Sequence, residues 1–111
     1  MKLGLIRCLQ TEDMCPMGVC LKTVSKKGGA FSGIDGDITI TGINTCGGCP
    51  GKKAVSRAAL MVKQGAEAIA LCSCIEKGTP IGFACPHKEE MLSAIKKKVG
   101  SEITIFEYTH D

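Results

Sequence analysis

Glu67-Ala68-Ile69-Ala70-Leu71-Cys72 is the stretch on which the fold turns. It is short and almost continuously apolar. Such a run reads as a central strand covered on both faces, not as one with a solvated side. Working outward, Lys2 to Arg7 reads as a first strand carrying Leu3, Leu5 and Ile6, and Asp37 to Ile43 as a second. Glu102 to Tyr108 closes the chain as a fourth. Three helical stretches lie between them. Cys15-Pro16 to Lys27 has Pro for a first turn and Gly28-Gly29 as a stop. Gly51 to Gln64 carries Val55, Ala58, Ala59, Met61 and Val62 on one side and ends at Gly65. His87 to Val99 carries Met91, Leu92, Ile95 and Val99, with Gly100 after it. Ser73 to Pro86 reads as a long loop.

Strands alternating with helices predict an α/β domain with a four-stranded parallel sheet and right-handed crossovers. A flavodoxin-like order 2-1-3-4 with three helices is expected over residues 1–111 as one domain. Three helices cover the two faces unevenly, so one face should carry a single helix or be met by a partner. That motivates a homodimer as the candidate assembly.

Composition narrows the function. The 111 residues are 44% hydrophobic and 23% charged, ordinary for a globular chain. The net charge of +3 and 4% aromatics, with no Trp, argue against a nucleic-acid binder, which needs basic clusters and stacking rings. No stretch approaches the roughly 18 apolar residues of a membrane span, and the N-terminal apolar stretch is far too short for a signal peptide. A reducing cytoplasm is therefore expected. There, eight cysteines are metal ligands or redox thiols more often than disulfides.

Their placement sharpens this. Cys8 ends the first strand, and Cys15 and Cys20 follow it. Cys46 and Cys49 separate the second strand from its helix. Cys72 and Cys74 end the third strand, and Cys85 lies in the loop beyond. All eight belong to strand-to-helix connections or their borders. In a parallel sheet these open on one edge, the edge at which open α/β sheets bind ligands. Thiols from position 8 to position 85 should therefore converge there.

The sharpest local feature is Thr45-Cys46-Gly47-Gly48-Cys49-Pro50-Gly51-Lys52-Lys53. Two thiols three apart can share one metal or one disulfide. Gly47 and Gly48 let the backbone approach closely and leave amides to face an anion or cofactor. The helix that follows adds its positive end, which favours thiolate. It is not a Walker loop: the position five before the Gly-Lys pair is Cys46, and Lys53 stands where Ser or Thr is needed. One C-x-x-C does not make a paired zinc knuckle. Strand-end thiols among backbone amides suit an iron–sulfur cluster, although the two-cluster ferredoxin run is absent. Lys52 and Lys53 read most simply as a solvated first turn, and Lys96-Lys97-Lys98 as a solvated last one. His87 reads equally as a ligand or as a helix-capping surface residue. His110 falls at a terminus expected to fray.

These landmarks together resemble the CGGC-domain family of small bacterial and archaeal proteins. They are Arg7-Cys8, Met14-Cys15-Pro16 with Cys20, Cys46-Gly47-Gly48-Cys49-Pro50-Gly51-Lys52-Lys53, Ser73-Cys74-Ile75 and Cys85-Pro86-His87. The resemblance runs the whole length and implies metal binding, with zinc suggested by the family's Cys and His content. Cys72 is not among its landmarks and reads as a packing residue.

The expectation is a metal-binding protein with a cysteine-ligated centre at the C-terminal edge of the sheet. Cys8, Cys46, Cys49, Cys74 and Cys85 form the core ligand set, Cys15 and Cys20 a second tier, and His87 a third. An iron–sulfur cluster is favoured over zinc, serving electron transfer or sulfur handling with a redox or sulfur-donor partner. The rival reading is a metal-free thiol–disulfide or sulfur-transfer oxidoreductase, in which Cys46 attacks and Cys49 resolves. In that reading Thr79-Pro80 is similar to the proline loop that faces the redox pair in thioredoxin-like folds. A module delivering metal or sulfur to a partner is a third.

Overall fold

The computed structural model describes residues 1–110. Four strands form one parallel sheet in the order β2-β1-β3-β4, the expected order. The strands are β1 (Lys2–Arg7), β2 (Thr39–Thr45), β3 (Ala68–Leu71) and β4 (Thr104–Phe106). The helices are α1 (Gly18–Lys26), α2 (Lys52–Lys63), the single turn α3 (Ser73–Glu76) and α4 (Lys88–Val99). No helix among the described residues is long and apolar enough to cross a membrane.

β3 is buried at all four of its positions, as its unbroken apolar run requires. It lies between β1 and β4, with Leu3 opposite Ala68 and Ile6 opposite Leu71 on one side, and Ile69 opposite Ile105 on the other. β2 is an edge strand and alternates exposed and half-buried residues over its first five positions.

Helix placement follows from strand order and right-handed crossover. The steps β2 to β3 and β3 to β4 run the same way across the sheet, so α2 and α4 share a face and pack on each other. α2 buries Ala54, Ala58 and Met61, and α4 buries Met91 and Ile95. A Cβ on Gly4 of β1 would come within 2.6 Å of Met61 Sδ, so glycine there lets α2 sit directly on the strand. The step β1 to β2 runs the other way and puts α1 alone on the opposite face. That face is not left to α1. A 3-10 turn at Gly29–Phe31 packs beside it, with Phe31 wholly buried and its ring 4.9 Å from that of Phe106. The chain end joins them: Ala30 N donates to Thr109 O over 3.1 Å.

Differences from the sequence reading are local. α1 begins at Gly18, not at Cys15-Pro16, because Met17 takes a left-handed conformation that breaks the helix before it. The stretch read as a loop from Ser73 contains the turn α3, whose Ser73, Cys74 and Ile75 are buried. β2 runs two residues later than expected, and β4 is confined to three residues.

Candidate metal centre and thiol sites

Cys8 directly follows β1, Cys46 follows β2 and Cys72 follows β3. The C-terminal edge of the sheet therefore carries the thiols, as parallel topology demands. All eight cysteines are free. Cys49 is exposed, Cys15 and Cys85 are half-buried, and the rest are buried.

Seven of the thiols fall into two groups that meet at Cys74, and the eighth, Cys15, lines the cavity beside the second group. The first runs from Cys8 through Cys74 and Cys46 to Cys49 and Cys85. The Cys8 backbone amide donates to Cys74 Sγ over 3.2 Å, tying the end of β1 to the turn after β3. Burial pushes the Cys8 thiol up, and the nearby Cys46 and Cys74 sulfurs add to this against amide hydrogen bonds from Gln10 and Thr11. Burial also raises Cys74, against the Cys8 amide bond. Cys85 is raised by burial and by the Cys49 and Cys46 sulfurs, while the His87 amide, 3.4 Å from its Sγ, and the Lys88 charge pull the other way. Three members are thus held as neutral thiols. A donor set of thiols, able to become thiolates, is the right kind for a soft metal. Among the described residues, no group of three or more His, Cys, Asp or Glu side chains is arranged to hold a metal ion.

The loop at Cys46–Cys49 is shaped by Gly47 and Gly48, both at positive φ. The Gly47 amide is turned inward: it donates to Thr45 Oγ1 over 3.1 Å. Arg57 from α2 braces the same residue, its Nη1 2.7 Å from Thr45 Oγ1 and 3.0 Å from Thr45 O. His87 occupies the position before α4, where its side chain makes no capping hydrogen bond.

The second group is built from Cys20 in α1 and Cys72 after β3. Their thiols share a hydrogen bond, and Cys20 Sγ also lies 3.1 Å from Thr109 Oγ1. The Cys72 bond, then the Thr109 bond and the His110 charge, lower Cys20 to about 6 against the effect of burial. Cys72 is pushed up by the same shared bond and by its complete burial. The shared interaction thus favours thiolate at Cys20 and thiol at Cys72. A hydroxyl network fixes the surroundings. Ser73 N donates to Thr109 Oγ1 over 3.2 Å, Ser73 Oγ donates to His110 O over 2.6 Å, and His110 N donates back to Ser73 Oγ over 2.9 Å. The backbone of His110, a residue expected to fray, is therefore held by Ser73. Beside the pair is a cavity of about 450 Å³, lined among others by Arg7, Cys15, Cys20, Cys72, Cys74 and His110. Thr79 and Pro80, joined by a cis peptide, line it too.

Sequence reasoning took Cys72 for packing. It is packed, but it also touches Cys20, fifty-two positions earlier in the chain. Its place at a strand end was the one signal available. Thr109 carried none, and Ser73 only its place in the landmark Ser73-Cys74-Ile75.

Residues 2–110 match the family model of the CGGC domain. An uncharacterized protein of Methanocaldococcus jannaschii is 33% identical over 111 aligned residues, covering 95% of this chain and 81% of that one. No solved structure matches the chain.

Proposed function

The chain belongs to the CGGC-domain family, and from that premise we propose that it binds a metal through thiolates of Cys8, Cys46, Cys49, Cys74 and Cys85. The observation that supports this most is the run of neighbouring sulfurs at one sheet edge, drawn from three separate strand ends and the loop before α4. When bound, the centre supplies soft Lewis-acid or one-electron chemistry, according to whether it is zinc or an iron–sulfur cluster. Only one C-x-x-C is present, not the paired knuckles of structural zinc, and backbone amides already donate to the sulfurs of Cys74 and Cys85, as they do to cluster ligands. Both facts favour the cluster, in an electron-transfer or sulfur-handling role.

The protein's own residues perform three tasks. Cys8 N–H holds Cys74 Sγ and would stabilise it as a thiolate. His87 N–H does the same for Cys85. Gly47 and Gly48 give the Cys46–Cys49 loop its tight path, and Arg57 fixes its root at Thr45. Because no three ligands among the described residues stand ready, binding must turn side chains and expel thiol protons.

The test is anaerobic reconstitution, first with zinc alone and then with ferrous iron plus sulfide, of the native chain and of Cys46→Ser/Cys49→Ser. The native chain should retain metal through gel filtration and the variant should not. Equal retention by a folded variant would refute the ligand assignment. Reversible cycling of a Cys46–Cys49 disulfide in a chain that takes up neither metal would support the oxidoreductase reading instead.

A further inference from the structure

The pair Cys20–Cys72 stands apart from the five thiols assigned to metal and has features of its own. The two side chains interact directly and both line one cavity, which places the thiols side by side. Thr109 holds Cys20 Sγ from the other side at 3.1 Å and is itself tied to Ser73. Both cysteines line the cavity of about 450 Å³, large enough for a small organic molecule. Three cationic or basic side chains, Arg7, Lys22 and His110, line it as well. Arg7 Nη2 donates to Cys15 O, while its buried Nε has no hydrogen-bond partner. The charges of Arg7 and Lys22 at the cavity wall favour an anionic occupant.

We propose that Cys20 and Cys72 form a dithiol redox site that reduces small anionic disulfides bound in this cavity. Cys20 sulfur, deprotonated, attacks one sulfur of the bound disulfide. The substrate S–S bond breaks, one half leaves as a thiolate that takes up a proton, and Cys20 carries the other half as a mixed disulfide. Cys72 then loses its proton and attacks the Cys20 sulfur. The mixed disulfide breaks, the second half leaves as a thiol, and a Cys20–Cys72 disulfide remains. The protein has lost two electrons and the one proton held by Cys72; the substrate has gained two electrons and two protons, the second proton coming from solvent to the thiolate released first. A dithiol reductant returns the pair to its starting state by the reverse exchange.

The test uses the full chain, reduced, treated with chelator and kept anaerobic, so that it does not depend on metal loading. Oxidised glutathione is the anionic probe and cystamine the cationic one, with peptide mapping by mass spectrometry. The native chain should form a Cys20–Cys72 disulfide, faster with glutathione disulfide than with cystamine. Cys72→Ala should stop at a glutathione adduct on Cys20. Cys20→Ser should slow glutathione release by about tenfold or more. Mapping on the native chain decides the matter even where a variant fails to fold. A first disulfide between Cys46 and Cys49, with Cys20 still alkylatable, would overturn the proposal. Equal rates for the two probes would overturn the anionic substrate class.

Discussion

The backbone amide of Cys8 lies 3.2 Å from Cys74 Sγ and donates to it, across sixty-six positions of sequence. That bond joins two neighbouring strand ends through a sulfur, and it places Cys74 between the two thiol groups. Replacing Cys74 with alanine removes a buried sulfur and leaves the Cys8 amide without its acceptor. The change should cost about 1–3 kcal/mol, read as a shift in urea midpoint at unchanged slope. The same variant should hold metal more weakly. A Cys74→Ala chain as stable as the native one would show that the bond contributes nothing.

Cys20 should react with iodoacetamide far below the pH at which an ordinary cysteine does. Its thiol is lowered to about 6, first by the Cys72 hydrogen bond and then by Thr109 and His110. The thiolate is thus present at neutral pH and disappears as pH falls through about 6. The linked contribution to folding has the same sign. A lowered thiol adds stability that is complete above the unfolded value near 9 and is lost as pH falls towards 6. Rates of Cys20 alkylation, followed by peptide mapping from pH 5 to pH 9, check this. A midpoint near the ordinary thiol value would contradict it.

Metal affinity should rise with pH. Cys8, Cys74 and Cys85 are held as thiols by burial, so each must release a proton to become a ligand. Zinc titrations in buffers of different ionisation enthalpy would measure the protons released. An affinity flat between pH 6 and pH 9 would exclude these three as ligands.

Gly29 should not tolerate a side chain. It sits at φ +49, and a Cβ there would run into Thr109 O, the carbonyl that Ala30 N holds. Gly29→Ala should destabilise the fold by about 1–3 kcal/mol and loosen Thr109 from Cys20. Thermal unfolding gives the first effect. The second appears as a Cys20 alkylation midpoint moved upward, a change that a merely destabilised chain would not produce below its unfolding transition.

The sheet was legible because its signals are local. The unbroken run Ala68–Leu71 names a central strand, and Asp37 to Ile43 names a second strand to within two residues. The connections between them leave few orders open, so the convergence of Cys8, Cys46 and Cys72 at one edge followed from topology. What sequence could not give was the division of that edge. Cys72 looked like a core residue because it is one, and only the fold brings Cys20 against it. The role of Thr109 depends on the chain end doubling back to Ser73 and Ala30, and no residue pattern announces that. The left-handed Met17 that delays α1 is set by its surroundings and not by its type.

The most direct measurement is anaerobic purification of the native chain with iron, zinc and acid-labile sulfide counted per chain. The account predicts a stoichiometric metal, iron together with sulfide and visible absorption for the favoured cluster, and its loss in Cys46→Ser/Cys49→Ser. A colourless chain holding neither iron nor zinc after reconstitution, with eight titratable thiols, would contradict it.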